Sequence, residues 1–448
     1  MTGGWLAFPP MTTSRGHGDV RRTGAGRGLV LLLACIGVTG VLALPTGASA
    51  ATPGATTTTT PVANGGESVV SGALAAFYRP PDPLPPAAPG TVIRSEALPV
   101  DPSLPAGTHA YRVLYHSTSS SGGDLAESGV VVVPGGTPPA GGFPIVSWAH
   151  GTTGVASGCA PSVTGTSTLP YLASLVRSRN IVAATDYRGL GTPGQHPYLV
   201  GSSEAEDVLD AARAARSLVG RSASDQVAVL GFSQGGQAAL FAGELASQYA
   251  PDLNLVAVAA VAPVTSVLEL APTGDGPPPS GQSAFTAMVL YAWAKHYRTF
   301  DLQRVLTQAG LADLPAVSSS CVDAVASLYD AVAPARFFQP GWQAVPAVQA
   351  ANRANVPGDS PTSAPILVVQ GTADEVVPAA RTIRFVGSQL CQQQYDSVDV
   401  VVEPGLGHQQ ALDSSGTYIV RWLQARFAGS SGENSCLLTG LGITSATR

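Results

Sequence analysis

The chain has 448 residues, 45% of them hydrophobic and 12% charged, and carries a formal net charge of −6. That composition fits a folded protein and not a disordered one, of a size for one large α/β domain with an insertion or for two domains. The acidic balance excludes the basic stripe that nucleic-acid binding needs, and the single lysine, Lys295, against many arginines reads as coding bias.

The N-terminus has the pattern of a targeting segment. Arg15, Arg21, Arg22 and Arg27 precede an apolar run from Leu29 to Leu44, which ends before Ala48-Ser49-Ala50. A basic region, an apolar region and an A-x-A site predict a signal peptide over 1–50, removed after about Ala50. The run is broken by Gly37, Thr39 and Gly40 and is short for a bilayer span of about 20 residues, so export is preferred to a retained anchor. Cys35 falls within that segment, leaving Cys159, Cys321, Cys391 and Cys436. Four cysteines permit three pairings, which sequence does not decide. We expect Cys159–Cys321 and Cys391–Cys436, each tying a neighbouring excursion to the core. Without a C-x-x-C pair, no zinc or redox site is expected.

Residues 51–74 form a Thr/Pro-rich linker, with Thr56 to Thr60 in a row, and the proline-dense stretch Phe77 to Pro89 should be extended. Apolar alternation at 110–116 and 128–134 predicts an antiparallel pair opening a sheet. Apolar strands alternating with helices follow, the sign of a mainly parallel sheet buried on both faces. The strands are Phe143 to Ala149, Ile181 to Asp186, Gln226 to Gly231, Leu253 to Ala262, Ile366 to Gln370 and Val398 to Val402. A helix over 203–219 has Ser203 as N-cap with Glu206 as its capping-box partner, and its charges Glu204, Asp207, Arg213 and Arg216 are read as structural. Two more helices are expected, Pro378 to Cys391 and Gly416 to Phe427.

Residues 266–360 break this rhythm with a Gly/Pro loop (Gly274 to Gly281) and helical runs at 283–297, 302–308 and 322–329. They predict a helical cap inserted between core segments 75–265 and 361–430, with 431–448 as a tail. Phe285, Met288, Tyr291, Trp293, Phe337, Phe338 and Trp342 either fill the cap's own core or form a binding face.

The chemistry centres on V-A-V-L-G-F-S-Q-G-G, residues 227–236, followed by a helix-forming run. G-x-S-x-G between a strand and a helix is a nucleophile elbow, which holds Ser233 in a strained turn with its hydroxyl exposed at a helix N-terminus. A serine hydroxyl is inert at neutral pH without a base, so a histidine and a carboxylate must complete it. Such sites run Ser, acid, His along the chain. Of the seven histidines only His296 and His408 follow Ser233, and only His408 lies in a turn after a core strand. Asp374 ends the Q-G-T-A-D turn after the preceding strand. It is preferred to the adjacent Glu375, whereas Asp396 and Asp399 lie at the wrong end of the sheet. The oxyanion needs two N–H donors. One is that of Gln234, and the other comes from Thr152 in the H-G-T-T-G loop or from Asp186 in T-D-Y-R-G.

G-F-S-Q-G-G, W-A-H-G-T-T-G, A-T-D-Y-R-G-L-G, Q-G-T-A-D and the late G-H, taken in order over roughly residues 75–430, resemble the secretory lipases. These are the lipase A type of secreted α/β-hydrolase found in yeasts and actinobacteria. The resemblance implies an α/β-hydrolase fold with a lid inserted after the nucleophile strand, and Asp186 rather than Thr152 as the second oxyanion donor. It also implies hydrolysis of acylglycerols or other carboxylic esters. The expectation is an exported or envelope-associated serine esterase or lipase that needs no cofactor or metal and acts on a small-molecule ester or lipid at a lipid–water interface. Its rivals are a peptidase or acyltransferase on the same fold and a non-catalytic surface-binding protein.

Overall fold

The computed structural model describes residues 72–436 except 120, 273–280, 363 and 395. The leader over 1–50, nearly all of the linker, the Gly/Pro loop before Gly281 and the tail beyond Cys436 lie outside the described residues. Nine strands form one sheet in the order β1-β2-β3-β5-β4-β6-β7-β8-β9. They are β1 (Val92–Leu98), β2 (His109–Thr118), β3 (Asp124–Val133), β4 (Phe143–Ala149), β5 (Ile181–Thr185), β6 (Ala223–Phe232), β7 (Asn254–Val261), β8 (Ile366–Gly371) and β9 (Val398–Glu403). The first three strands and the β3–β5 pair are antiparallel, and all later pairings are parallel. This is the α/β-hydrolase architecture.

Strand side chains alternate between the two faces, and the core divides accordingly. Phe143, Ile145, Val227 and Val229 pack on one side, and Val146, Trp148, Ala228 and Leu230 on the other. Following the short α1 (Gly72–Phe77), helix α2 (Leu172–Arg177) lies on the second face, while α3 (Gly201–Val219) and α4 (Gln234–Tyr249) cover the first. Between β7 and β8 the chain leaves the sheet to build the cap from α5 (Val267–Leu270), α6 (Gln282–His296), α7 (Gln308–Ser319), α8 (Val322–Tyr329) and α9 (Pro346–Ala354). Returning to the core, α10 (Ala379–Phe385) widens into a π-helix over Val386–Gln394, and α11 (His408–Phe427) packs beside α2.

Met288, Trp293, Phe337, Phe338 and Trp342 are buried in the cap's own core, and Phe285 and Tyr291 are half-buried against it. The cap is fastened to the core through a disulfide and several hydrogen bonds, among them that of the Tyr291 hydroxyl to the Gln195 side-chain oxygen at 2.8 Å. Cys159 is bonded to Cys321, and beside that bond the Val322 N–H donates to the Thr153 carbonyl at 2.8 Å. On the far side, Asn355 accepts from the Gly201 N–H at 2.9 Å, and the Trp293 indole donates to the Leu199 carbonyl. Cys391 is bonded to Cys436. Bridging 162 positions against 45 removes about 1 kcal/mol more chain entropy, so the cap bond is the stronger constraint.

Several local expectations are corrected. Helix α3 starts at Gly201 with Val200 as its cap residue and no side-chain cap, so Ser203 and Glu206 form no capping box. Glu206 instead pairs with Arg188 at 3.1 Å, and Glu204 accepts the Leu199 N–H at 2.8 Å. The last helix begins eight residues earlier than read, at His408, because the Gln410 side chain accepts the Gly407 N–H and caps the turn. Helix α7 contains Pro315 and was hidden by it.

The backbone that positions the site is set by two close approaches. A Cβ on Gly231 would lie 1.9 Å from the Gly235 carbonyl oxygen, and one on Gly235 would lie 1.9 Å from that of Ala149. Only glycine lets β6, β4 and the start of α4 pass this closely. Between them Ser233 is held at φ 56° and ψ −113°, a conformation costing about 1–3 kcal/mol for a residue with a side chain. Gly235→Ala should therefore lower stability by about 3 kcal/mol or more, or prevent folding. A urea midpoint matching wild type would contradict the close-packed elbow.

Candidate active site

The parallel strands end along one edge of the sheet, and three of their loops supply the site. Ser233 follows β6 and is buried apart from its hydroxyl side, with its N–H donating to the Val261 carbonyl and its own carbonyl taking the Val264 N–H. Asp374 follows β8. His408 follows β9 as the first residue of α11.

Asp374 uses all of its acceptor capacity. One oxygen receives the Val376 and Val377 N–H groups at 2.9 and 2.7 Å, and the other receives the Gln370 amide at 2.9 Å and the His408 Nδ1 at 2.8 Å. Gln370 is itself held by the Thr382 hydroxyl. A carboxylate accepts, so the Nδ1–H of the ring donates to it and Nε2 is left as the ring nitrogen free to act. The imidazole packs on the Phe232 ring with centroids 4.7 Å apart, and His408 lines the same cleft as Ser233. Serine and imidazole share this cleft with no hydrogen bond between them among the described residues; such contacts commonly close when substrate binds. Glu375, the neighbouring acid, is exposed and forms no hydrogen bond with the imidazole among the described residues, while Asp399 accepts the Trp422 indole elsewhere. His296 sits in the cap, away from Asp374.

The first residue of α4 is Gln234, and its N–H is one of the unpartnered donors that every helix start presents. Asp186 does not join it. Its N–H donates to the Ser128 carbonyl at 2.9 Å, and its carboxylate is buried, taking the Ser128 hydroxyl and both the hydroxyl and N–H of Ser162. Asp186 does not line the cleft around Ser233. The expectation that it serves the oxyanion is corrected on this geometry. Thr152, the alternative, does line the cleft, and its N–H has no partner among the described residues.

Two cavities meet at Ser233. A wide cleft of about 780 Å³ opens past His408, Thr152, Phe285 and Leu412 toward solvent. The second is a narrow apolar slot under the cap, lined by Leu199, Val264, Val267, Phe285, Val289 and Val376. Phe285 borders both, the one cap aromatic named above that reaches the site.

Beneath the elbow lies a buried polar set that sequence patterns did not single out. The Gln234 side-chain amide donates to Glu204 at 2.8 Å and to His196 Nε2 at 3.1 Å. Burial pushes the His196 imidazole down to about 3 and raises the Glu204 carboxyl well above its usual range. His196 is thus neutral, with Nδ1–H donating to the Arg188 carbonyl at 3.2 Å. Arg188 is anchored to Asp207, one of the α3 charges read as structural. No group of three or more His, Cys, Asp or Glu side chains among the described residues is arranged to hold a metal ion.

Comparison with known proteins places this geometry. The chain spans 45% of the length of a probable inactive lipase of Mycobacterium tuberculosis, to which it is 30% identical over 203 residues, or 42% of this chain. It is 23% identical to lipase 6 of Candida albicans over 81% of this chain and 83% of that one. Among solved structures, Candida antarctica lipase A in its closed state superposes with a TM-score of 0.66 at 19% identity, covering 80% of this chain and 88% of that one. A rice cell wall degrading esterase from Xanthomonas oryzae superposes with a TM-score of 0.62 at 20% identity, covering 77% and 100%. The secretory lipase family matches residues 160–434, well over half the chain and inclusive of the elbow, the cap and the Asp374 and His408 loops. The chain therefore belongs to the secretory lipase family of α/β-hydrolases.

Proposed function

We propose that the chain hydrolyses carboxylic esters, acylglycerols foremost, through an acyl-enzyme on Ser233. As a member of the secretory lipase family, the chain is a carboxylic ester hydrolase. The observation that carries the proposal is the Asp374–His408 pair, hydrogen-bonded through Nδ1 at 2.8 Å, opening onto the same cleft as Ser233. His408 Nε2 takes the Ser233 proton as the hydroxyl attacks the ester carbonyl, and Asp374 holds the imidazole and stabilises its cation without taking a proton. The oxyanion is held by the N–H groups of Gln234 and Thr152. His408 then protonates the leaving alcohol, and water, activated by the same imidazole, releases the acid. Because the alcohol must receive its proton from His408, it lies in the wide cleft; the apolar slot under the cap, about 20 Å³ as it stands, takes the acyl chain only after it widens.

Export is part of the reading, supported by the leader-like N-terminus, by two disulfides of the kind an oxidising compartment sustains and by the family. Among the described residues no helix is long and apolar enough to cross a membrane. A second reading, a fold kept for binding alone, is favoured by the relative described as a probable inactive lipase; the intact Ser233, Asp374 and His408 arrangement speaks against it.

Ser233→Ala should abolish hydrolysis of a short nitrophenyl ester with an unchanged thermal unfolding midpoint, and full activity in that variant would overturn the assignment. Asp374→Asn, which favours the wrong imidazole tautomer, should lower kcat by about 10⁴-fold; a loss under ten-fold would assign the acid elsewhere. With both controls in place, emulsified triacylglycerol should be hydrolysed faster than aminoacyl amides. The reverse order would make the chain a peptidase.

A further inference from the structure

Both donors assigned above to the oxyanion are tied, through side chains, to one buried segment, whose Tyr198 and Leu199 also line the slot beside Ser233. Thr152 leaves β4 in an irregular loop, and its hydroxyl shares a 2.7 Å hydrogen bond with the Tyr198 hydroxyl. Tyr198 is 2% exposed. On the other side of Ser233, the Gln234 amide donates to Glu204 Oε1 at 2.8 Å, and the same oxygen receives the Leu199 N–H at 2.8 Å. One carboxylate oxygen thus joins the residue after Tyr198 to the residue after the nucleophile. Leu199 adopts φ 54°, a left-handed backbone that a branched side chain takes only under outside constraint. Together with the Ala149–Gly231 pairing of β4 and β6, these bonds close a ring that runs Thr152, Tyr198, Leu199, Glu204, Gln234.

The chemistry of the ring argues for a role beyond filling space. Glu204 is fully buried, and its second oxygen has no hydrogen-bond partner among the described residues. An unsatisfied buried carboxyl oxygen is unfavourable by about 1–3 kcal/mol, and a leucine or methionine would fill the volume without that cost. What the carboxyl does, and an apolar side chain does not, is accept two N–H groups at one point. Neutral His196 adds a second acceptor for the Gln234 amide, so that the side chain has one orientation.

We propose that Tyr198 and Glu204 are positioning residues that set the spacing of the two oxyanion donors, one through Thr152 and the other through Gln234. The proposal rests on the serine-hydrolase reading above. Donors serve only within about 2.7–3.1 Å of the oxyanion, which forms in the transition state, so loosening either anchor acts on kcat and leaves substrate binding alone.

The test uses Tyr198→Phe, which removes only the hydroxyl, Glu204→Leu, which removes the acceptor, and Glu204→Gln, whose amide oxygen accepts the same two N–H groups. For each, kcat and KM on a short nitrophenyl ester, the inhibition constant of a trifluoromethyl ketone and the thermal midpoint are measured. The ketone's hemiketal oxyanion stands where the tetrahedral intermediate's would. Tyr198→Phe should lower kcat by about ten-fold, a fraction of the 10²–10³ lost with a whole donor, with KM within about two-fold. Ketone affinity should fall by the same factor as kcat. Glu204→Leu should do the same, and Glu204→Gln should recover most of the loss. Should Glu204→Leu fail to fold, Tyr198→Phe decides. Wild-type kcat and ketone affinity in Tyr198→Phe, or a kcat loss with unchanged ketone affinity, would overturn the proposal. A wild-type protein that neither turns over the ester nor binds the ketone would instead sink the hydrolase reading, and this inference with it.

Discussion

The passage of β6 into α4 past β4, with no room for a Cβ at Gly231 or Gly235, is the constraint on which the site depends. It forces Ser233 into a backbone conformation that the residue would not choose, and the surrounding pairing of β6 with β4 and β7 over-determines it. The result places Ser233 at the border of the cleft and Gln234 at the helix start beside it. In the proposed mechanism, nucleophile placement and anion stabilisation both follow from this single turn.

Around that turn, buried polar groups differ in how completely they are paired. Asp374 accepts four hydrogen bonds, which fix its carboxylate and the imidazole ring against it. Asp186 is likewise satisfied, which is why it serves the β3–β5 junction and not the cleft. Glu204 has one oxygen without a hydrogen-bond partner among the described residues, as does Gln237, and its other oxygen accepts the amide of Gln234, the residue after Ser233. The cap closes the system from above: the Cys159–Cys321 bond and the Val322–Thr153 hydrogen bond fix it to the loop that carries Thr152.

Much of this was legible in the residues because the buried parallel strands are continuous apolar runs bounded by turns. β4 was placed at its observed ends, and β5 to β9 within a few residues, on that signal alone. β1 was invisible because it is an edge strand in which Ser95, Glu96 and Ala97 are all exposed, so it shows no alternation. The start of α11 was missed because Ser414, Ser415 and Gly416 argue against a helix locally, whereas Ala411, Leu412 and Ile419 bury its face. Asp186 and Thr152 stand at equivalent strand ends in the sequence. What separates them is tertiary. The antiparallel ladder of β3 with β5 runs on past Gly129 and Thr185 and claims the Asp186 N–H, while the loop after β4 leaves the sheet with its donors unclaimed.

The central claim is that one serine among many is activated by its surroundings. It is tested most directly by treating the folded protein with a fluorophosphonate and mapping the modified peptide by mass spectrometry. The account predicts a single stoichiometric adduct on Ser233 that is lost on prior unfolding. An unlabelled native protein, or an adduct spread over other serines, would contradict it.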